Sequence, residues 1–417
     1  MASHPLHYIT VKQINGRWMF VDPFGKPFLS KGVCHVSARG EKDIKTQVND
    51  YRQAVEQSFK DEVEWAEDTT RRLTHLGFNT IGPWSSEELF RGRMYYITII
   101  NLARDDWQSG KVDDYFSRDF YRHAEAKAHE VILKNEYHLD KYLIGYCTGE
   151  EMRWGRDWRS PKSIVFDYLN FAEDQAGKQA IIRFFKDSYR GDIARFSHDW
   201  CQRFDNWDEA LKSREYTSRK KSAKTQEEAA LRFITEQYFK TANEVIRKYD
   251  PNHLILGTRF LAPLTPRSVL EACKDYVDVV SVNHFELLFR MHALMPYTMG
   301  TTNTGDFLAE FHRITKKPLL ITEFGYRVKR KHKVRYLPAG FPTFRTDRQR
   351  GQRAFRYIKK AVAADYVVGW HLFQWFDQPP HGRFDGQNSH FGLVNVENQL
   401  YPEYARYLKQ ANELSAF

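Results

Sequence analysis

The sequence predicts one α/β domain, a (β/α)8 TIM barrel, and three observations lead to this prediction. Short apolar runs typical of buried strands alternate about eight times with segments of helical periodicity. The length of 417 residues is normal for a barrel with insertions, and no change in composition marks a linker. Two of the predicted strands end on carboxylates, which is where barrel enzymes place their catalytic groups. We therefore expect a single catalytic domain over residues 1–417.

The chain before the barrel, residues 1–28, is predicted to contain a β-hairpin. Apolar residues at 18–21 and 27–29 flank residues 22–26, where Pro23 and Gly25 suit a turn. The first barrel strand follows directly on this hairpin.

The remaining elements follow from the same alternation of apolar runs and helical segments. Gly77 ends the first predicted helix, Ser117 is a suitable N-cap for the second, and Asp250-Pro251 closes the third. The strands are predicted over residues 29–36, 78–81, 94–102, 142–147, 253–259, 277–282, 318–322 and 367–373. The helices are predicted over residues 61–76, 117–136, 226–249, 302–314, 347–364 and 401–414. Residues 152–219 are rich in Trp, Arg and Asp and are predicted to form a loop-and-helix insertion over the active-site mouth.

Polar and aromatic side chains follow most of the predicted strands. Such groups are costly to bury unless they are partnered, so their number predicts a hydrogen-bonding pocket for a polyhydroxylated ligand. In strand order they are His35, Trp84, Glu150 with Glu151, Arg259, Asn283 with His284, Glu323, and Trp375 with Asp377 and Gln378; Trp154 joins them from the insertion.

Two of these carboxylates fit the chemistry of glycoside hydrolysis. Glu323 follows the seventh predicted strand and Glu151 follows the fourth, so both are expected at the mouth of one barrel. An ionised Glu323 would attack an anomeric carbon, while a protonated Glu151 would release the leaving oxygen and then activate water. The alternative for each is an ordinary loop acid in a salt bridge, since Lys and Arg are plentiful.

The overall charge and the aromatic content bear on the ligand. The formal net charge of +10 attracts anionic partners, but no nucleic-acid-binding signature occurs. Acidic or sulfated polysaccharide agrees better with the 15% aromatic residues, and the basic stretch 327–335 could contact sulfate. A merely solvated basic surface is the alternative for both features.

No cofactor, metal or membrane partner is predicted. The four cysteines lie singly, without CxxC, HxH or HExxH spacing, and no apolar run reaches transmembrane length. The N-terminus has no apolar signal core, which predicts either a cytoplasmic protein or a periplasmic or secreted one whose signal has been removed. The oligomeric state cannot be predicted.

Several stretches resemble clan A glycoside hydrolases and, more narrowly, agarases and related enzymes of red-algal galactan breakdown. The stretches are GRWMFVDP at 16–23, IGYCTGEEMRWG at 144–155, PNHLILGTR at 251–259, SVNHF at 281–285, WFDQPPHGRFDGQN at 375–388 and FGLV at 391–394. The resemblance implies that Glu151 is the acid/base and Glu323 the nucleophile. It also implies that Arg259, Asn283, His284 and Trp375 line sugar subsites.

The sequence departs from this family at three places near the predicted site. Glu150 stands where the family usually has Asn, Gly149 replaces a usual Asp, and Cys34-His35 stands where Asn is common. With these departures, we expect a retaining hydrolase that cleaves β-galactosidic linkages in agarose, porphyran, carrageenan or their oligosaccharides. A β-galactosidase, a β-mannan-type hydrolase or a catalytically silent sugar-binding barrel are the alternatives.

Overall fold

A computed structural model describes residues 8–286, 307–329 and 341–414. The chain begins with a three-stranded antiparallel sheet of β1 (Thr10–Ile14), β2 (Arg17–Val21) and β3 (Pro27–Phe28). The predicted hairpin is its second half, with Phe20 opposite Phe28. Asp22 shapes the turn, since its Oδ1 accepts hydrogen bonds from the backbone N–H groups of Phe24 and Lys26. The strand β1 was not predicted.

The parallel strands form a closed barrel, which confirms the predicted fold class. They are β4 (Ser30–Val33), β5 (Thr80–Ile81), β6 (Tyr95–Ile99), β7 (Leu143–Cys147), β8 (Leu254–Gly257), β9 (Phe260–Leu261), β10 (Val280–Asn283), β11 (Leu319–Phe324) and, after the short parallel pair β12 (Arg327–Val328) and β13 (Thr343–Phe344), β14 (Val367–Leu372). Their order is β8-β7-β6-β5-β4-β14-β11-β10-β9. Because β8 and β9 are two halves of the fifth barrel strand, the two edges of this sheet meet. The Ile255 carbonyl accepts from the N–H of Asp278 at 2.9 Å and helps to close the barrel.

The barrel interior explains why its strands read as apolar runs. Every residue of β7, β11 and β14 is buried, as expected for parallel strands covered on both faces. Ile144, Leu320 and Val368 pack inside the barrel with Phe20 of the N-terminal sheet. The N-terminal sheet therefore lies at the bottom of the barrel and leaves the C-terminal ends of the strands for the site.

Helices surround the barrel. Some of them begin where the sequence predicts, but the long helix predicted from residue 226 begins at Lys221, and the helices Asp50–Ser58 and Arg267–Cys273 were not predicted. The Asp61 side chain accepts from the Glu64 N–H at the start of the helix Glu62–His75, and the Ser117 side chain accepts from the Phe120 N–H at the start of the helix Arg118–Lys134. Gly77 follows the end of the first of these helices with a φ of +77°. The helices are α1 (Asp50–Ser58), α2 (Glu62–His75), α3 (Arg118–Lys134), α4 (Ile164–Asn170), α5 (Ala176–Ser188), α6 (Ile193–Asp199), α7 (Trp207–Lys212), α8 (Lys221–Tyr249), α9 (Arg267–Cys273), α10 (Phe307–Thr315), α11 (Asp347–Ala363) and α12 (Pro402–Asn412). None of the helices in the three described ranges is long and apolar enough to cross a membrane.

The stretch after β7 contains more regular structure than its composition indicates. Residues 152–219 hold the helices α4 to α7, packed around buried aromatic rings such as Phe185, Phe196 and Trp200. Phe184 stacks on Phe233 of α8 with ring centroids 5.0 Å apart, which fixes this stretch to the barrel. Residues 302–306 of the predicted fourth helix and residues 330–335 of the basic stretch lie outside the described residues.

Candidate active site

The carboxylates predicted at the ends of the fourth and seventh barrel strands line one cavity. Glu150 and Glu151 follow β7, and Glu323 is the last residue but one of the strand β11. All three line a cavity of about 1180 Å³ at the C-terminal ends of the strands. The barrel thus brings together acids that are far apart in the sequence, at the end of the barrel where enzymes of this fold have their active sites.

Glu323 is buried and held by a single guanidinium. The Nη2 group of Arg259 donates to Glu323 Oε1 at 2.6 Å. Burial raises the pKa of Glu323 to about 7, the positive charge of Arg259 opposes that shift, and the nearby Glu151 adds to it. Arg259 therefore stabilises the ionised form that a nucleophile requires.

Glu151 is held by different partners. Asn283 Nδ2 donates to Glu151 Oε1 at 2.9 Å, and the indole Nε1 of Trp107 donates to Oε2 at 3.2 Å. The backbone of Glu151 has a φ of +39°, a conformation that side-chain-bearing residues rarely adopt. Its carbonyl accepts from Nη2 of Arg159 at 3.0 Å. The unusual backbone is thus held in place by the insertion that follows it.

Glu150 lies between these two groups and shares their partners. Arg259 donates to Glu150 Oε2 through Nη1, and Asn283 Nδ2 donates to Oε1 at 3.2 Å. Burial raises the pKa of Glu150 well above its usual range; Arg259 lowers it, and the charges of Glu323 and Glu151 raise it further.

Arg259 and Asn283, which are predicted to line sugar subsites, are fully buried, contact the carboxylates and are absent from the described cavity lining. Arg259 is fully buried in the link between β8 and β9, and its backbone N–H donates to Ser281 Oγ at 2.9 Å. The Asn283 amide oxygen accepts from the Thr322 hydroxyl at 2.8 Å. That bond orients the amide so that its NH₂ group faces the acids.

His35 and Trp84 also line the cavity, whereas His284 lies behind it. His35 and Trp84 have φ angles of +57° and +61°. Burial, reinforced by Arg383 and Arg259, lowers the pKa of His35 well below its usual value, so its ring is neutral. His284 Nδ1 lies 2.7 Å from the hydroxyl of Tyr357, and its backbone N–H donates to the Glu323 carbonyl at 2.8 Å. His284 therefore supports the Glu323 backbone from outside the cavity lining.

Two tryptophans predicted to contact a ligand are packed away from the cavity, which corrects that prediction. Trp375 is fully buried, and its indole N–H donates to the Tyr51 hydroxyl at 2.8 Å. Trp154 is 3% exposed and packs against Tyr238 and Phe239. An aromatic ring after a strand can point into the barrel mouth or behind it, and packing decides which.

Asp377 and Gln378 are corrected in the same way. Asp377 accepts from the Gly392 N–H at 2.8 Å and the Tyr401 hydroxyl at 2.6 Å. Gln378 Oε1 accepts from the Ser389 N–H at 2.7 Å. Both are buried and are absent from the described lining; they hold together the segment that follows β14.

Several lining residues were not singled out by sequence reasoning. Trp107 follows the third barrel strand, so a fuller search of strand ends would have found it. Arg383 and Asp385 lie within the stretch 375–388, whose resemblance was noted for other residues. Phe373, Trp158, Arg159 and Phe384 are further members of this set. Trp84, Trp158 and Phe384 are 46%, 55% and 69% exposed, so they form an aromatic rim.

The described lining of the cavity is acidic although the chain is basic. Its arginines are engaged by acids: Arg153 pairs with Asp167, Arg159 with Asp157, and Arg383 with Glu41 and Asp385. The acids of the lining are Glu41, Asp105, Asp106, Glu150, Glu151, Glu323 and Asp385, and the bases are Lys111, Arg153, Arg159 and Arg383. The excess positive charge of the chain therefore lies elsewhere than in this part of the cavity.

The known proteins to which the chain is similar include agarases. No family model matches the chain. Beta-agarase B of Vibrio sp. (strain JT0107) is 24% identical over 366 residues, covering 84% of this chain and 36% of the relative. Beta-agarase A of the same strain is 24% identical over 467 residues, covering 96% of this chain and 45% of the relative. The chain thus spans less than half the length of these curated relatives.

Solved structures give the same fold. The crystal structure of the agarase AgWH50C superposes with a TM-score of 0.79 at 21% identity, covering all of this chain and 66% of that one. The structure of an exo-beta-agarase superposes with a TM-score of 0.80 at 21% identity, covering 98% of this chain and 65% of that one.

The fold of the chain is therefore that of the barrel enzymes to which it is similar. The matched proteins are agarases, so the resemblance predicted from the sequence motifs is confirmed.

Proposed function

We propose that this chain is a retaining glycoside hydrolase that cleaves β-galactosidic bonds in a neutral galactan of agar type. The observation that carries the proposal is that Glu151 and Glu323 line one cavity from the ends of β7 and β11. A pair of carboxyl groups facing each other is the minimal apparatus for this reaction. The agarase relatives support the choice of galactan.

Glu323 is the nucleophile in this proposal. Its carboxylate attacks the anomeric carbon, forms a glycosyl–enzyme ester, and breaks the bond to the leaving sugar oxygen. Arg259 lies 2.6 Å from Glu323 and favours the ionised state despite burial. The hydrogen bond between the His284 N–H and the Glu323 carbonyl holds the strand end in place during the attack.

Glu151 is the acid/base. It donates its proton to the departing oxygen in the first step, then removes a proton from water as that water cleaves the ester. Trp107 and Asn283 each contact one of its oxygens, so the carboxyl keeps one orientation through both steps. Glu323 attacks the face of the anomeric carbon opposite the leaving group, and the water then attacks the face from which that group departed. Two inversions in succession give a product of retained configuration.

The charge of the lining supports a neutral substrate over a sulfated one. Seven acids and four bases line the described cavity, and the lining arginines are engaged by acids. Arg153, Arg159 and Arg383 already pair with acids, so the described lining offers a sulfate group no unpaired guanidinium. The rim residues Trp84 and Trp158 offer flat faces on which uncharged sugar rings can stack.

The test is product analysis on a matched set of oligosaccharides. We expect cleavage of neutral agarose oligosaccharides, with the β anomer appearing first by proton NMR, and at least about tenfold lower kcat/KM on porphyran or carrageenan oligosaccharides. Initial release of the α anomer would contradict the retaining mechanism. Turnover of β-mannan or simple β-galactosides alone would contradict the galactan assignment. Binding without any turnover would leave only a sugar-binding barrel.

A further inference from the structure

Glu150 shares its two hydrogen-bond donors, Arg259 and Asn283, with the two proposed catalytic acids. Arg259 divides its amino groups, with Nη1 on Glu150 Oε2 and Nη2 on Glu323 Oε1. Asn283 Nδ2 lies 3.2 Å from Glu150 Oε1 and 2.9 Å from Glu151 Oε1. Each oxygen of Glu150 therefore competes with one catalytic carboxylate for the same donor.

The charges around Glu150 do not balance when every acid is ionised. Arg259 is the cation in contact with Glu150 and Glu323, and Glu151 is the adjacent residue. Arg383 acts on Glu323 from farther away but is itself paired with Glu41 and Asp385. Three carboxylates beside one guanidinium would leave an excess negative charge in a buried place, which is costly.

Among the residues that the structure describes, the other titratable groups near Glu150 supply no compensating charge. Burial raises the pKa of the Cys34 thiol well above its usual range and that of Cys147 to about 12, so both are neutral. His35 is neutral because burial and the neighbouring arginines lower its pKa. A proton retained by one carboxyl is therefore the means by which the cluster reduces its charge.

We propose that Glu150 carries this proton and is a neutral carboxylic acid. As a positioning residue, the neutral acid competes less for the two donors, so Arg259 binds Glu323 and Asn283 binds Glu151 more strongly. The proposal rests on the proposed hydrolase activity. Glu150 is the best placed of the three, since Glu323 must be ionised to attack and Glu151 must exchange its proton in every turnover. Because Glu150 lines the cavity, its O–H can also donate to a substrate hydroxyl.

The direction of the raised Glu150 pKa agrees with this arrangement. When Glu150 ionises at higher pH, its carboxylate binds Arg259 more strongly and weakens the hold of Arg259 on Glu323. Ionisation of Glu150 should then end activity on the alkaline side of the pH profile.

The substitution Glu150→Gln tests this, because glutamine has the shape of the neutral acid and cannot ionise. We expect the alkaline limb of kcat/KM to move up by about one pH unit or more, because this position can no longer ionise. Glu130→Gln, on the exposed face of α3, makes the same substitution away from the cavity lining and should leave the profile unchanged. Loss of more than about a hundredfold at every pH, or an alkaline limb that does not move, would overturn the proposal.

A second measurement does not depend on turnover. Infrared difference spectra between the unsubstituted protein and Glu150→Gln at neutral pH should contain the C=O band of a protonated carboxylic acid, and carboxylate bands alone would overturn the proposal. If the unsubstituted chain cleaved no galactan, the proposed function would fail while this measurement still decided the state of Glu150.

Discussion

Arg259 Nη2 lies 2.6 Å from Glu323 Oε1, and the same fully buried guanidinium contacts Glu150 through its other amino group. The three residues come from different parts of the barrel: Glu323 lies 64 positions and Glu150 lies 109 positions from Arg259 in the sequence. This one cation therefore joins the fifth barrel strand to the loop after the fourth strand and to the end of the seventh strand. Stability and activity should both depend on it.

Replacing Arg259 by Gln should lower both the stability and the activity of the protein. Two carboxyl groups would lose their cation, and breaking a buried ion pair on one side costs about 3–5 kcal/mol. We expect the free energy of unfolding in urea at neutral pH to fall by that amount, and kcat/KM to fall by at least about a hundredfold.

The double variant Arg259→Gln with Glu150→Gln is the control for this experiment. Since glutamine replaces an acid that is already neutral, the double variant should lose as much stability as the single variant, and recovered stability would show that Glu150 carries a charge. A single variant as stable as the unsubstituted protein would show that Arg259 does not hold the cluster together.

The two proposed catalytic acids should respond differently to azide. Glu323→Gln removes the nucleophile, so activity should fall by several orders of magnitude, and azide should yield at most an inverted glycosyl azide. Glu151→Gln keeps the nucleophile, so a substrate with a good leaving group should still form the ester and then accumulate it.

Added azide should rescue Glu151→Gln and give a product of retained configuration, measured by NMR of the glycosyl azide. If Glu150→Gln were the rescued variant and Glu151→Gln kept nearly full activity, the acid/base would be Glu150 and the assignment would be off by one residue.

Arg159 should matter for turnover more than for binding. Its guanidinium donates to the carbonyls of Glu151 and Trp107 and is 3% exposed beside Asp157. In Arg159→Gln the Glu151 backbone loses this support, and a misplaced catalytic group can cost about a hundredfold in rate. We expect kcat to fall by about ten- to a hundredfold with KM little changed.

The matched control is Arg183→Gln, on the exposed side of α5 in the same insertion. It should leave both constants unchanged. A rise in KM alone for Arg159→Gln would assign Arg159 to the substrate and not to Glu151.

Asp105 should make the protein less stable as the pH rises. Burial raises its pKa to about 7, although the Tyr115 hydroxyl donates to it at 2.7 Å. An acid with a raised pKa in the folded state holds its proton where the unfolded chain has lost it. Its contribution to stability is complete below about pH 4, the unfolded pKa, and is lost as pH rises through about 7.

Unfolding in urea between pH 4 and 8 measures this effect. Asp105→Asn cannot ionise, so its stability should fall less steeply over this range than that of the unsubstituted protein. Asp174→Asn, at an exposed position, is the control. Equal slopes for the unsubstituted protein and Asp105→Asn would contradict the prediction.

The sequence was sufficient for the barrel and for its two acids. Buried parallel strands need continuous apolar runs, and helices need caps such as Asp61 and Ser117, so both leave local patterns. The carboxyl ends of all strands in a barrel lie on one side. Acids that follow the fourth and seventh strands must therefore meet there, as Glu151 and Glu323 do.

Only the tertiary structure decided which partners these acids have. Trp107 and Arg159 reach Glu151 from two different loops, and the backbone of Glu151 adopts a φ of +39° that no local pattern indicates. The sequence likewise did not show that Trp154 and Trp375 turn away from the cavity while Trp158 faces it. The physical reason is that strand periodicity determines which side chains are buried in the barrel, whereas the direction of a loop side chain depends on contacts with loops distant in sequence.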